Sequence, residues 1–231
     1  MKSDDRWTSF NPGLFSHGRL FYRFDGSDAC RFSPKLAWRL LEHIRFPEGP
    51  GRRILWDPFC GTGLLLCVAR AFFSDSFDLL VGSDAQAQAV EASAKNLQLL
   101  DQPEAQERRM RELVGMQGLN ARSAPRWREV ELYYKQLLNG LLKQLPPRET
   151  VLVQALAQGL PATWKDDRVF FIGDLPYGRS SAVQGGCLAE IVTSIRAAYP
   201  QAHGLFVASE PIALEGIETM PLRGGRCLIR F

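Results

Sequence analysis

The apolar positions of the chain follow two rhythms, short unbroken runs and stripes spaced by three and four. The runs are Arg53–Asp57, Leu79–Asp84, Val151–Val153, Val169–Asp174, Gly204–Ala208 and Cys227–Phe231. Runs this short and this apolar predict strands covered on both faces. The stripes lie between them. Ser33-Pro34 predicts a helix start, through a Ser cap and a Pro in the first turn. That helix is expected to carry Leu36, Leu40, Leu41 and Ile44 on one face and to end before Pro47. Further helices are expected over Leu64–Phe73, Gln86–Leu100 and Leu188–Ala198. Strands alternating with helices imply a parallel sheet.

Two segments depart from this rhythm. Residues 1–32 are rich in aromatics and glycine without a period, and they read as an extension lying on the domain. Residues 101–148 are polar and rich in arginine, with helical stretches near 103–117 and 126–145. An insertion of that length inside a compact α/β unit points to function or disorder. The expected organisation is therefore an extension plus helix over 1–50 and one domain over 51–231 that carries the insertion.

Composition narrows the classes only slightly. Hydrophobic residues make up 45% and charged residues 23% of the 231 residues, and the net charge is +3. These are ordinary values for a water-soluble domain. No apolar run is long enough to span a membrane. The opening MKSDDRWTSF lacks the charged and apolar regions of a secretory signal, so the expectation is a cytoplasmic protein, taken as a monomer. Cys30, Cys60, Cys67, Cys187 and Cys227 are scattered without a C-x-x-C pair, and His17, His43 and His203 stand far apart. Neither set has the spacing of a metal site, and no metal is expected. Cys60 reads as a packed thiol rather than a nucleophile.

Three strand ends carry the candidate chemistry. The first is Asp57-Pro58-Phe59-Cys60-Gly61-Thr62-Gly63, between a strand and a helix. In open parallel sheets, ligands bind beyond the carboxyl ends of the strands. The glycines permit a tight turn and a close ligand, and no lysine is present to reach a phosphate. The leading acid suits a cationic group, such as the amino group and sulfonium of S-adenosylmethionine. The alternative is an ordinary glycine-containing turn. The second is Asp84, about 20 residues beyond the loop, where a carboxylate can hold ribose hydroxyls or cap the following helix. The third is Asp174-Leu175-Pro176-Tyr177-Gly178. An exocyclic base amine is a weak nucleophile, because its lone pair is delocalised into the ring. Asp174 and the carbonyl of Leu175 could accept its hydrogens and aim it, and alignment of this kind supplies several kcal/mol, on the order of intramolecular effective-molarity gains. Pro176 stiffens the turn, and Tyr177 offers a face for a flipped-out base.

These motifs resemble the class I methyltransferases that act on amino groups of nucleic-acid bases. DLPYG is more similar to RNA guanine-N2 enzymes than to DNA adenine enzymes. The runs ILWDPFCGTGLLL, SDAQAQAVEASAKNLQLL and FIGDLPYGRS, with the helix FSPKLAWRLLEHI, resemble the avilamycin-resistance, AviRa-type 23S rRNA guanine methyltransferase family from about residue 30 onward. The resemblance implies a Rossmann-like α/β fold, a mostly parallel seven-stranded sheet with helices on both faces. It implies S-adenosylmethionine held by Asp57, Pro58, Cys60, Gly61, Gly63 and Asp84, and a target base held by Asp174, Leu175, Pro176 and Tyr177. The third strand ends in VLVQALAQGL, so Gln154, and less favourably Gln158, stands where the family has an acid that reads the adenine amine. Adenine-N6 or tRNA guanine methylation, and a non-catalytic RNA-binding assembly factor, are the other readings.

The expected partner is ribosomal RNA. Arg108, Arg109, Arg111, Arg122, Arg126 and Arg128 are interleaved with Trp127, Tyr133 and Tyr134, and such mixtures contact phosphates and stack bases. The alternative is a solvated helix face with Glu104–Arg108 and Glu107–Arg111 pairs. Arg19 and Arg23, beside Phe21 and Tyr22, are secondary candidates.

Overall fold

The computed structural model describes residues 15, 20–23, 33–117, 132, 148–175, 188–222 and 225–231. Twelve elements organise them. In chain order they are α1 (Pro34–Leu41), β1 (Arg53–Asp57), α2 (Leu64–Phe72), β2 (Leu79–Asp84), α3 (Ala87–Asp101) and α4 (Pro103–Gln117). After these come β3 (Glu149–Gln154), β4 (Arg168–Asp174), α5 (Leu188–Ala198), β5 (His203–Ala208), β6 (Glu218–Leu222) and β7 (Arg226–Arg230).

The strands form one seven-stranded sheet of order β3-β2-β1-β4-β5-β7-β6. β3, β2, β1, β4 and β5 are parallel, and β7 is antiparallel to both β5 and β6. Successive side chains of the central strands serve opposite faces. Leu55, Leu80, Phe170 and Leu205 pack with α1 to α4, whereas Ile54, Trp56, Phe171 and Phe206 pack with α5. Both faces are thus dry, which is why these strands read as continuous apolar runs. This is the Rossmann-like α/β class expected from the motifs.

Three local expectations change. β6 carries no strand signal in its sequence, Glu218-Thr219-Met220-Pro221-Leu222, and none of its residues is fully buried. It is a sheet edge, where a proline without an N–H is tolerated. α1 ends at Leu41, short of Ile44, because the last amides turn to tighter bonds, His43 to the Leu40 carbonyl and Ile44 to the Leu41 carbonyl. Ile44 is buried just beyond the helix. Ser33 occupies the capping position through its backbone, and its side chain makes no cap bond.

The sheet order reverses direction between β1 and β4. β2 and β3 lie to one side of this point, and β5, β7 and β6 to the other. At such a switch point the connections leave on opposite faces and open a crevice at the carboxyl ends of the strands. Asp57 and Asp174, the last residues of β1 and β4, stand at its two sides.

Candidate functional site

The turn from β1 into α2 is held by hydrogen bonds from its own amides. Cys60 N–H donates to the Ser83 carbonyl at 2.9 Å, and Gly63 N–H to the Cys60 carbonyl at 2.7 Å. Gly61 N–H donates to Asp84 Oδ2 at 3.0 Å. Gly61 and Gly63 both adopt left-handed backbone, with φ of 51° and 77°, a conformation that costs other residues about 1–2 kcal/mol. Their surroundings differ. A Cβ on Gly63 would overlap the Ser93 hydroxyl of α3, whereas a Cβ on Gly61 would meet nothing closer than the Phe59 carbonyl at 4.0 Å. Gly63 therefore lets the turn pack onto α3, and Gly61 leaves the outer side of the turn open. Pro58 and Cys60 are buried beneath it. Burial pushes the Cys60 thiol well above its ordinary range, with Asp57 and Asp84 adding to the effect. It is a packed, protonated thiol.

Three carboxylates gather at neighbouring strand ends. Asp57 is 3% exposed, and its Oδ1 accepts the Phe59 N–H at 3.0 Å. Burial pushes its carboxyl up to about 8, the Phe59 bond opposes the shift, and the charges of Asp84 and Asp174 add to it. Asp84 accepts Gly61 N–H on one oxygen and Gln86 N–H, at 2.9 Å, on the other. Burial raises its carboxyl as well, against three backbone bonds. The residue at the N-cap of α3 is Gln86, so Asp84 closes the preceding turn instead of capping the helix itself. Each carboxylate oxygen has a second lone pair, so these bonds leave Asp84 able to accept from a ligand.

The β4 corner lies directly against the β1 turn. A Cβ on Gly173 would stand 2.8 Å from Asp57 Oδ1, so only glycine lets the strand before Asp174 come so close. Asp174 is half-buried and pairs in register with Val207. Leu175 is buried, and its N–H donates to the Val207 carbonyl at 2.8 Å. Pro176 and Tyr177 lie outside the described residues. Burial is the main reason that Asp57 holds its proton, and the neighbouring charges of Asp84 and Asp174 add a smaller negative potential, which favours a positive group. Among the described residues, no group of three or more His, Cys, Asp or Glu side chains is arranged to hold a metal ion.

The remaining expected residues spread out. Gln154 ends the edge strand β3, and its Nε2 donates to the Ala85 carbonyl at 3.2 Å, beside the Asp84 turn. Arg108 and Arg111 are exposed on α4. Arg109 is instead buried, donating from Nε to the Leu20 carbonyl at 2.9 Å and from its Nη1 to Glu112 at 3.0 Å. It holds the N-terminal segment and is not a surface contact. Phe21 is likewise a core residue, stacked on Phe15 at 4.9 Å. Arg23 is exposed. Arg19, Arg122, Arg126, Trp127, Arg128, Tyr133 and Tyr134 lie outside the described residues. A cavity of about 650 Å³ lined by His43, Arg45, His203, Glu218 and Arg230 lies at the other end of the parallel strands, remote from these acids.

Sequence reasoning missed Gly173, Ser93 and Asn96. A lone glycine within an apolar strand does signal a close approach, so Gly173 was recoverable. Ser93 and Asn96 sit in a helix of mixed polarity, where burial leaves no mark in sequence.

The family model described as rRNA methyltransferase AviRa matches residues 13–199. No curated protein matches the chain in sequence. Two structures of rRNA methyltransferase aviRa from Streptomyces viridochromogenes superpose with TM-scores of 0.71 and 0.67. Each is 22% identical, over 96% of this chain and 92% of that one. A predicted N6-adenine-specific DNA methylase from Listeria monocytogenes shares the fold more loosely, with a TM-score of 0.55 and 14% identity over 94% of this chain and 55% of that one.

Proposed function

The chain belongs to the AviRa rRNA methyltransferase family, and on that premise we propose that it methylates the exocyclic N2 of a guanine in large-subunit, 23S ribosomal RNA. The observation that carries this reading is the contact of the β4 corner with the β1 turn, Gly173 against Asp57 at the switch point of the sheet. It brings a glycine turn with an open outer side next to an acid-bearing strand end.

S-adenosylmethionine is the methyl donor, and when bound it supplies an electrophilic methyl on a sulfonium. The residues fit such a group. The open side of Gly61 receives it without a Cβ in the way, the acids favour its positive charges, and Asp84 retains acceptor capacity for hydroxyls. On this reading Asp57, Pro58, Cys60, Gly61, Gly63 and Asp84 shape its site, and Gln154 flanks it at the β3 edge.

Asp174 and the Leu175 carbonyl accept hydrogens of the target amine and fix its orientation, with Pro176 and Tyr177 framing the base. The amine becomes cationic as its new bond forms, and the carboxylate of Asp174 stabilises that charge. Loss of a proton then follows readily, to Asp174 or to water, because a methylated aryl ammonium is strongly acidic. On this reading residues 1–50 act as one extension of the domain, of which Phe15, Leu20, Phe21 and the apolar face of α1 are buried in the core. The insertion over 101–148, on this reading, supplies Arg108, Arg111, Arg122, Arg126 and Arg128 as contacts to RNA phosphates.

The test is transfer from methyl-labelled S-adenosylmethionine to separated 23S, 16S and tRNA pools, followed by nuclease digestion and mass mapping. The expected product is N2-methylguanosine at one 23S position. Label in N6-methyladenosine or in tRNA would overturn the base or the RNA assignment. Tight cofactor binding with no transfer to any pool would favour a non-catalytic assembly role.

A further inference from the structure

Asn96 of α3 joins the glycine turn to the N-terminal segment. It is 1% exposed, and the amide is fully engaged. Its Nδ2 donates to the Thr62 carbonyl at 2.8 Å and to the Tyr22 carbonyl at 3.1 Å, and its Oδ1 accepts the Tyr22 N–H at 2.6 Å. Thr62 lies between Gly61 and Gly63. A side chain with both donors and an acceptor at this reach must be asparagine, since aspartate lacks the donors and glutamine is longer.

Tyr22 continues the connection outward. Its hydroxyl donates to Glu112 of α4 at 3.1 Å. The Arg109 guanidinium lies over its ring at 4.2 Å, and Lys95 lies over it at 5.8 Å. Arg109 also donates to the Leu20 carbonyl and to Glu112, so the segment, the ring and α4 are tied together. Arg108 and Arg111 are exposed on that same helix, and Arg23 is exposed on that same segment.

We propose that Asn96 is a positioning residue that couples RNA contact at the Tyr22–α4 surface to the conformation of the cofactor turn, so that RNA and cofactor each tighten binding of the other. The inference rests on the donor site proposed above. A chain of packed, hydrogen-bonded groups supplies the physical link, and such coupling is reciprocal by thermodynamic necessity. Fixing Tyr22 in place fixes two of the three groups bonded to Asn96, and through Asn96 the third, the Thr62 carbonyl between the two glycines.

The experiment measures S-adenosylhomocysteine affinity by calorimetry, with and without saturating 23S rRNA transcript, for the wild type, Asn96→Ala, Asn96→Asp and Tyr22→Phe. The wild type should bind about tenfold more tightly with RNA, toward the lower end of the usual range for coupled sites. Asn96→Ala and Asn96→Asp should weaken binding without RNA and reduce the RNA effect to under about twofold. Tyr22→Phe retains the main-chain bonds to Asn96, so it should bind normally without RNA and yet lose part of the RNA effect. It also serves if the Asn96 variants fail to fold. A merely structural Asn96 would lower affinity equally in both conditions and leave the ratio unchanged, which would overturn the inference. So would a wild type with no RNA effect, while the donor-site reading stood. Absence of any binding to the wild type would defeat both.

Discussion

Gly61 and Gly63 have similar backbone and opposite neighbours, so their substitutions should separate stability from affinity. Gly63→Ala drives a methyl into the Ser93 hydroxyl and should cost about 2–3 kcal/mol through overpacking and backbone strain. A fall in Tm would register it. Gly61→Ala meets open space, so it should cost only about 1 kcal/mol of stability, while the added methyl lowers S-adenosylhomocysteine affinity. Asp57 supplies a pH prediction. Its carboxyl is raised from 3.8 to about 8 in the fold, so the native state keeps a proton that the unfolded chain releases. Stability from this group is therefore greatest below about pH 4 and declines as pH rises to about 8. The difference in Tm between the wild type and Asp57→Asn, measured across this range, isolates the effect, and a flat difference would remove Asp57 as its source. For the acceptor side, Asp174→Ala should slow single-turnover transfer by at least about 100-fold, with cofactor affinity near that of the wild type. Spacing alone picked out Asp57, Gly61, Gly63 and Asp84. It could not reveal that Asp84 bonds the Gly61 amide or that Asp57 is almost wholly buried, because both depend on β1, β2 and β4 meeting in space.

Elements differed in legibility according to how much they bury. β1, β2 and β4 are central strands with apolar side chains on both faces, and their sequences show it directly. β6 is an edge with no fully buried position, so its pattern carries no period, and Pro221 argues against a strand unless the edge is known. α4 was legible as a helix but not as to which arginines it turns inward. Arg108 and Arg111 project to solvent while Arg109, between them, is buried, a distinction set by where Leu20 and Tyr22 lie. Arg109→Ala removes a charged bond to the Leu20 carbonyl, the Glu112 pair and the contact with the Tyr22 ring. It should cost about 2 kcal/mol. Amide hydrogen exchange should quicken over 20–23 and α4 and remain unchanged in β1 and β4. Uniform quickening across the sheet would mean that Arg109 supports the whole core rather than this junction.

At the scale of the molecule, topology performs the assembly. Two strand–turn units that lie over a hundred residues apart in the chain, ending at Asp57 and at Asp174, become neighbours because β4 inserts beside β1. One brings an open glycine turn and the other an acid that can orient an amine. The same reversal of strand order leaves the carboxyl ends of the strands as the natural crevice. A crystal structure of the protein with S-adenosylhomocysteine tests this arrangement. The ligand is expected along the open side of Gly61, with its ribose toward Asp84 and its sulfur facing Asp174. A ligand seated elsewhere, or with its sulfur turned away from Asp174, would contradict it.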